Sequence, residues 1–527
     1  MFLKRHHLLT AATKDLEELC KFRGEDALEM EMIKYLCAPT SSLNRLLRVC
    51  NSLNSISSKD SNIEEISAAF KGFTLALSAV LKKCEERVHI TTDLLPAIES
   101  FFLMYKLRNG VDEAFAKRHG NVLNILIRKT PKLLFDSMSR LTLDCPYVLE
   151  LDNKRTYFTS QLHKDTFERR HLFNLHVTRS NVLDDSLQQV MSESGEDFRN
   201  GWLNVDFAGE EGDDLGGLTR EWFSVLTLQI FNPHFALFCT SAEDTTTYAP
   251  NHVSSANPDH LHYFRFVGRV IAKAIVDGQS LDVCFTRSFY KCILGRKIEL
   301  TDLEAADPQY YNNLLLATED GITELTFSMD TNDLGVAQTV DLVVDGRNLA
   351  VTEDNQPEFL QRVAEYRLVD RIKHQIGAFL TGFSEVIPLD LMKIFDEQEL
   401  ELLISGQPDI NVDDWQKNTK YQGYTVESAP VQWFWKCVRA MPPEKCAKML
   451  QFVTGSSRVP LGGFGHLQGN SGLQNFQIHC DVNEKERLPR ARTCFNKLFL
   501  PEYDTYEILR DKIEQAINEC STGFGLA

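Results

Sequence analysis

Apolar residues recur at spacings of three and four in the first part of the chain, and this pattern predicts helices. In DLLPAIESFFLMYKL, from Asp93, one apolar face holds Leu94, Leu95, Ile98, Phe101, Phe102 and Tyr105. The segment GNVLNILIRKTPKLLFDSMSRL, from Gly120, repeats the pattern. A polar stretch earlier in the chain, NSLNSISSKDSN from Asn51, predicts a loop between helices. We therefore expect a helical module whose simplest role is packing.

The pattern changes after Arg170. Alternating positions at Leu172, Asn174 and His176 give way to helical spacing, which predicts strand, helix and strand up to Asp206. A turn rich in glycine and acidic residues, GEEGDDLGG from Gly209, then leads into a helix that begins near Leu218. The turn lacks the regular alternation of oxygen ligands found in calcium loops, so we interpret it as structural.

Further helices and short strands complete an α+β pattern. HYFRFVGRVIAKAIVDGQSLDVCFTRSFYKCIL, from His262, predicts a long buried helix followed by a second one. TELTFSMD, from Thr323, and LAVTEDN, from Leu349, predict short strands, and a helix pair follows from Phe359. The small, polar, proline-bearing SGQPD at Ser405 to Asp409 is typical of a hinge.

Charge supports a boundary at that hinge. The 527 residues, enough for at least two domains, carry a net charge of -18. From Ile410 onward 14 Lys and Arg face 13 Asp and Glu, whereas 42 face 61 in the preceding residues. An acidic chain of this kind is a poor candidate for binding nucleic acid, which needs clustered positive charge.

Neither a membrane nor a metal is indicated. The longest apolar run, FTLALSAVL from Phe73, is about half the length of a membrane span, and MFLKRHHLL is too short for a signal peptide core. The 13 cysteines form no CxxC pair, so we expect reduced thiols, no metal or cofactor, and a cytoplasmic or nuclear protein.

Three other motifs carry little chemistry. GGFGHLQG, from Gly462, lacks the glycine spacing of a dinucleotide loop, and the chain has no GxxxxGK[ST] phosphate loop. A metal cluster is conceivable among Cys437, Cys446, Cys480, His466 and His479. Their spacing matches no common zinc pattern, so core cysteines are the preferred interpretation.

Cys494 has different surroundings. Arg487, Arg490, Arg492 and Lys497 flank it, and no acidic residue occurs from Leu488 to Pro501. Nearby cations favour the nucleophilic thiolate, although the same arginines would also suit a solvated loop. No histidine follows His479, which leaves a protease-type mechanism without a base. Exchange between a thiol and a thioester needs mainly a thiolate and close approach, so the pattern favours an acyl carrier.

The segment LPRARTCFNKLFLPEY, from Leu488, resembles the catalytic end of HECT-type ubiquitin ligases, whose pattern is LPxAHTCFNxLxLPxY with a phenylalanine fourth from the end. Phe524 occupies that place. Similar motifs are QWFW from Gln432, LQFVTGSSRVPLGGF from Leu450, YFRFVGRVIAKAI from Tyr263 and GEEGDDLGGLTREWF from Gly209. From about Phe115 the chain is most similar to the very large HECT ligases that also carry UBA and WWE domains.

The resemblance implies a bilobal HECT domain. A mostly helical N-lobe would span 151–405, with a small mixed subdomain at about 285–366 that binds the ubiquitin-conjugating enzyme. The hinge would be Gly406, Gln407, Pro408 and Asp409, and an α/β C-lobe would span 410–527. Residues 115–150 would form a helical tether, and 1–114 a helical region of unknown role.

The family's chemistry, carried to matching positions, makes Cys494 the residue that accepts ubiquitin as a glycyl thioester and passes it to a substrate lysine. The implied partners are ubiquitin, a conjugating enzyme and protein substrates. Thr493 and Asn496 would shape the loop, and Phe524 would orient the tail. We expect Tyr311, Leu315 and Phe327 to line the groove for the conjugating enzyme, with ordinary core packing as the alternative.

Arg492 stands where the family pattern has histidine. Arginine is not a base at neutral pH, so we expect it to stabilise negative charge on the thiolate or the tetrahedral oxyanion. The base for lysine attack stays unassigned, with Asp481, Glu484 and Glu486 as candidates. A non-catalytic scaffold and a cysteine hydrolase that removes ubiquitin are the alternative functions.

Overall fold

We analysed the chain in a computed structural model, which describes residues 2–21, 45–46, 63–84, 95–107, 113–164, 171–210, 217–240, 247–320, 325–333, 336–406, 410–456, 458–460, 462–469, 472–481 and 486–519. Contacts divide the chain into two units: Met1–Lys164 with Lys393–Phe395, and Asp165–Met392 with Asp396–Ala527. This division falls at residue 164, whereas the sequence suggested boundaries after residues 114 and 150. No helix in the described ranges is long and apolar enough to cross a membrane.

The first unit is helical where it is described. Its helices are α1 (Phe2–Lys21), α2 (Ile63–Cys84), α3 (Leu95–Leu107), α4 (Glu113–Arg118), α5 (Gly120–Lys129), α6 (Leu141–Asp144) and α7 (Leu151–Leu162). The apolar face predicted for α3 is confirmed at Ile98, Phe101 and Phe102, which are fully buried. Phe101 packs on Phe115 of α4, with ring centroids 4.0 Å apart.

The second unit begins with the larger, amino-terminal lobe, residues 171–392 and 396–406. Its elements are β1 (Leu172–Val177), α8 (Val182–Ser192), α9 (Gly195–Asn200), β2 (Trp202–Phe207), α10 (Gly217–Ile230), β3 (Phe238–Thr240), β4 (Thr247–Pro250), α11 (His260–Val276), β5 (Cys284–Phe285), α12 (Arg287–Leu294), α13 (Leu300–Ala306), α14 (Pro308–Asp320), β6 (Ser328–Asp333), β7 (Val336–Asp341), α15 (Gln356–Leu368), α16 (Lys373–Val386), α17 (Leu389–Met392) and α18 (Glu397–Ser405). The predicted strand-helix-strand unit is confirmed, with β1 and β2 paired in parallel.

Two glycines let α11 and α16 cross with their backbones in contact. A Cβ at Gly268 of α11 would lie 2.1 Å from the Phe379 oxygen, and one at Gly382 of α16 would lie 1.8 Å from the Arg265 oxygen. Beside the crossing, Glu385 accepts from Arg265 Nε at 2.8 Å and also pairs with Arg269. Gly268 and Gly382 thus allow the backbones of α11 and α16 to touch, and the ion pairs of Glu385 lie beside this contact.

A small mixed subdomain within this lobe has its own core of Phe327, Val351, Phe359, Leu360 and Val363. Its strands β6 and β7 form an antiparallel hairpin. One predicted strand is wrong: LAVTEDN forms a single bridge, between Ala350 and Thr326, and then turns into α15. Of the apolar residues in this segment, Val351 is buried in the core of the subdomain.

The carboxy-terminal lobe, residues 410–519, buries a core of its own. Its elements are α19 (Val412–Lys417), β8 (Lys420–Gln422), α20 (Ala429–Ala440), α21 (Pro443–Thr454), β9 (Gln468–Gly469), β10 (Gly472–Leu473), β11 (Gln477–Asp481), β12 (Arg490–Arg492), β13 (Lys497–Pro501) and α22 (Tyr506–Glu519). The order of the four-stranded sheet is β12-β13-β11-β8. Trp415 stacks on Phe464 with ring centroids 4.9 Å apart, at the centre of this core. The bilobal α+β fold is thereby confirmed.

Candidate active site

Cys494 lies in a tight turn between the antiparallel strands β12 and β13. Thr493–Phe495 form one turn of 3-10 helix, and Asn496 ends it in the left-handed conformation with φ 50°. Asparagine tolerates this region because its short polar side chain forms local hydrogen bonds. Here the Asn496 amide is fully buried and donates to the Gln474 oxygen at 2.8 Å. The turn that carries Cys494 is therefore fixed by its own backbone geometry.

Arg220 of α10, in the amino-terminal lobe, extends to this turn in the other lobe. Its Nη1 donates to the Thr493 oxygen and to Asn496 Oδ1, each at 3.1 Å, and also to the Thr454 oxygen. Only 6% of the Arg220 surface is exposed, so these bonds replace the water it loses. One guanidinium thus contacts the residues on both sides of Cys494.

The sequence did not assign any role to Arg220. Its partners lie more than 230 positions away, so no local spacing connects them. One sequence signal could have pointed to this residue: the adjacent Arg220 and Glu221 stand among the apolar residues of LTREWF. Charged residues are seldom fully buried unless they are paired, so such a position indicates a specific partner.

The neighbouring Glu221 anchors the same turn of α10. Arg179, which follows β1, donates to Glu221 Oε1 at 2.6 Å and also pairs with Glu210 after β2. Its guanidinium lies 4.3 Å from the centre of the Phe207 ring. These bonds to Arg179 hold the pKa of Glu210 below its usual range. Arg179 thus links Glu210, after β2, to Glu221 in α10, the residue next to Arg220.

The cations around Cys494 differ in how they are bonded. Arg490 is paired with Asp481 at 2.7 Å, whereas the exposed Arg492 lies over Phe499, with its guanidinium 5.5 Å from the ring centre. Lys497 lies over Phe495 at 5.3 Å. Pairing with Asp481 neutralises the charge of Arg490, so Arg492 and Lys497 are the stronger sources of positive potential at the turn.

The three candidate bases are placed differently. Asp481 forms an ion pair with Arg490, and Glu486 is exposed. Glu484 lies outside the described residues, as do the side chain of Cys494 and the tail residue Phe524. Asp481 therefore serves as the ion-pair partner of Arg490 in β12.

His479 of β11 is held within the sheet. Its Nε2 lies 3.1 Å from Gln477 Oε1, and its ring is 5.4 Å from that of Phe499. Burial, and then the charge of Lys497, lower its pKa from the ordinary value. The imidazole is consequently neutral at neutral pH and is bonded to a neighbour on its own strand.

Five of the other described cysteines are poor nucleophiles at neutral pH, because burial raises the pKa of each thiol. Burial raises the pKa of Cys437 to about 11 and that of Cys292 to about 12. It also raises the pKa values of Cys239, Cys284 and Cys446. The prediction that Cys437 and Cys446 are core residues is confirmed, since both are buried. Within the described ranges, no group of His, Cys, Asp and Glu residues could hold a metal ion.

The predicted hinge begins at a residue that has to be glycine. Gly406 ends α18 with φ 73°, and a Cβ there would lie 2.7 Å from the Val459 oxygen. The preceding Ser405 is buried and donates to the Val283 oxygen at 2.5 Å. Gln407, Pro408 and Asp409 lie outside the described residues. The chain therefore leaves the amino-terminal lobe from a firmly bonded point.

The residues predicted for the conjugating-enzyme groove lie in the small subdomain. Phe327 is buried in its core, with its ring 5.5 Å from that of Phe359. Leu315 is half-buried against the same core, Tyr311 is half-buried, and Leu316 beside them is 55% exposed. The structure thus brings Leu315 and Phe327 to one core, with Phe327 beneath the surface.

Comparison with known proteins identifies the family of the chain. A family model described as HECT-domain (ubiquitin-transferase) matches residues 224–527. The chain is 40% identical over 558 residues to the E3 ubiquitin-protein ligase ptr1 of Schizosaccharomyces pombe, covering 98% of this chain and 17% of that protein.

Two further relatives are the E3 ubiquitin-protein ligase HUWE1 of Mus musculus and the E3 ubiquitin-protein ligase UPL1 of Arabidopsis thaliana. HUWE1 is 44% identical, with 84% of this chain and 10% of that protein covered. UPL1 is 46% identical, with 78% of this chain and 11% of that protein covered. The chain spans less than a fifth of the length of these curated relatives.

Proposed function

Because the chain belongs to the HECT-domain (ubiquitin-transferase) family, we propose that it is a ubiquitin-protein ligase with Cys494 as its acceptor. The Cys494 thiolate attacks the thioester carbonyl carbon of a charged conjugating enzyme, and that enzyme's cysteine leaves as a thiolate. A substrate lysine amine then attacks the new thioester, the isopeptide bond forms, and the Cys494 thiolate leaves. The ammonium proton passes to solvent.

The turn around Cys494 is the observation that carries this proposal. A left-handed Asn496 and a buried Arg220 hold both sides of the cysteine, and the described cysteines with shifted pKa values are held in their thiol form by burial. Acyl exchange between thioesters needs a thiolate in a fixed position and little other chemistry. The cations Arg492 and Lys497 favour that thiolate.

The remaining roles follow from the same family. We assign the docking of the conjugating enzyme to the surface around Tyr311 and Leu315, which Phe327 supports from the core. Phe524 would hold the tail against the thioester during transfer. The partners would be ubiquitin, a conjugating enzyme and protein substrates, in the cytoplasm or nucleus. Neither the family match nor the described geometry favours a non-catalytic scaffold.

The proposal is tested by incubating the full chain with ubiquitin, activating enzyme, ATP and a panel of conjugating enzymes. We expect ubiquitin to become attached to lysines in a reaction that Cys494→Ala abolishes. Cys480→Ala, in the neighbouring strand β11, is the matched control and should retain activity within about twofold, since a half-buried cysteine lost from a strand mainly affects packing. Full activity in Cys494→Ala would overturn the proposal.

A further inference from the structure

We propose that Arg220 is a positioning residue for the second step of the reaction, the transfer of ubiquitin from Cys494 to lysine. This inference rests on the proposed function, since it assumes that Cys494 carries the thioester. The residue belongs to the amino-terminal lobe, so the site for lysine transfer would be completed only when both lobes are together.

The contacts of Arg220 place it on the turn itself. Its Nη1 donates to the Thr493 oxygen, on the residue before Cys494, and to Asn496 Oδ1, two residues after it. A third bond goes to the Thr454 oxygen at the end of α21. Three acceptors from two segments of the carboxy-terminal lobe thus meet one nitrogen of the other lobe.

The start of α10 is built to hold this side chain in place. Glu221, the next residue, is bonded to Arg179, and Arg220 itself is buried. Gly455 follows the last bonded carbonyl with φ 78°, and a Cβ there would lie 3.7 Å from both Arg220 Cβ and Thr493 Cβ. The stem of Arg220 and Thr493 therefore both lie within contact distance of Gly455, beside the turn.

A difference between the two chemical steps makes the second one sensitive to Arg220. During loading, the thioester arrives within the active site of the conjugating enzyme, which supplies its own surroundings for the reacting carbonyl. During lysine transfer that enzyme is no longer bonded to ubiquitin, and this chain alone has to hold the thioester in line with the amine. Loss of such positioning raises the barrier of the step that depends on it.

The chain offers a matched control in Arg458. It also bridges the lobes, donating from Nε to Asp282 Oδ1 at 3.1 Å and approaching Cys284 Sγ at 3.7 Å, beside the hinge residue Gly406. The bonds of Arg458 go to Asp282 and Cys284, on the side of the amino-terminal lobe near Gly406, whereas those of Arg220 go to the turn. A general weakening of lobe docking would affect both variants alike.

The test separates the two steps in single-turnover reactions of the full chain. Cys494 is first charged from a conjugating enzyme, the charging is stopped, and discharge to free lysine is then followed. We expect Arg220→Ala to load within about twofold of the unsubstituted chain and to discharge on the order of tenfold more slowly, the scale of a lost positioning contact. Arg220→Lys should recover part of the rate, and Arg458→Ala should discharge within about twofold.

The inference would be overturned if Arg220→Ala discharged ubiquitin as fast as the unsubstituted chain. It would also be overturned if Arg458→Ala slowed discharge as much as Arg220→Ala does. A parallel fall of loading and discharge would likewise overturn it, because Arg220 would then be merely structural. If Arg220→Ala fails to fold, Arg220→Lys is used instead. A discharge rate that falls more than the loading rate would support the inference, and an equal fall of both rates would overturn it. Failure of the unsubstituted chain to load at all would instead contradict the proposed function.

Discussion

Single residues fix the geometry around Cys494. The turn depends on Asn496, whose left-handed backbone and buried amide hold the ends of β12 and β13 in place. Cys494, Asn496 and the cations could be proposed as site residues from the sequence because they are neighbours along the chain. Arg220 escaped notice because its bonds to Thr493 and Asn496 join distant segments. Contacts of this kind depend on tertiary packing, which local spacing does not encode.

Arg492 provides the test at this scale. Replacing Arg492 by alanine should raise the pKa of the Cys494 thiol by on the order of half a unit, because an exposed charge interacts by about 1 kcal/mol or less in water. The rate of alkylation of the peptide that holds Cys494, measured against pH by mass spectrometry, would then shift to higher pH.

Arg490→Ala is the matched control for Arg492. Arg490 lies on the same strand, but its charge is paired with Asp481, so its removal should shift the profile less. Equal shifts for the two variants would contradict the role given to Arg492.

At the scale of elements, helical spacing predicted most of the long helices, because burying one face imposes a period on the sequence. The hairpin of β6 and β7 was only half predicted, since SMDTND contains mostly polar residues and carries little of the strand pattern. The crossing of α11 and α16 was not predicted either. A glycine required for close approach looks like any other glycine in a helix until its neighbour is known.

The crossing makes a stability prediction. Gly382→Ala places a Cβ against the Arg265 backbone and should lower the free energy of unfolding by about 1–3 kcal/mol, the usual cost of overpacking. Gly377→Ala, in the same helix but with open space around it, should instead raise stability by up to about 1 kcal/mol through helix propensity. Urea unfolding of the full chain measures both, and a stabilising Gly382→Ala would refute the close crossing.

For the whole molecule, the carboxy-terminal lobe has a core of its own, and the hinge at Gly406 to Asp409 stays a prediction. Composition and charge both change near this point of the sequence, as a boundary between independent cores predicts. They did not predict the division at residue 164, since helices continue on either side of the expected boundaries and share one periodicity. The bonds of Arg220 and Arg458 between the lobes depend on the packing of the complete domain.

The proposed role of Phe524 joins the end of the chain to the thioester on Cys494. Phe524→Ala should slow lysine transfer several-fold while loading of Cys494 stays within about twofold, since a large apolar side chain is lost from the group that holds the thioester in line. Leu526→Ala, two residues further, is the matched control and should change neither rate by more than about twofold. A loss of loading alone in Phe524→Ala would disprove this role.

The most direct measurement of the central claim identifies the atom that carries ubiquitin. In a single turnover with charged conjugating enzyme, the unsubstituted chain should form an adduct that a thiol reductant cleaves. Cys494→Ser should form a slower adduct that resists the reductant but is released by mild alkali, because serine gives an oxygen ester. An adduct that remains sensitive to reductant in Cys494→Ser would contradict the account, since ubiquitin would then be held by another cysteine.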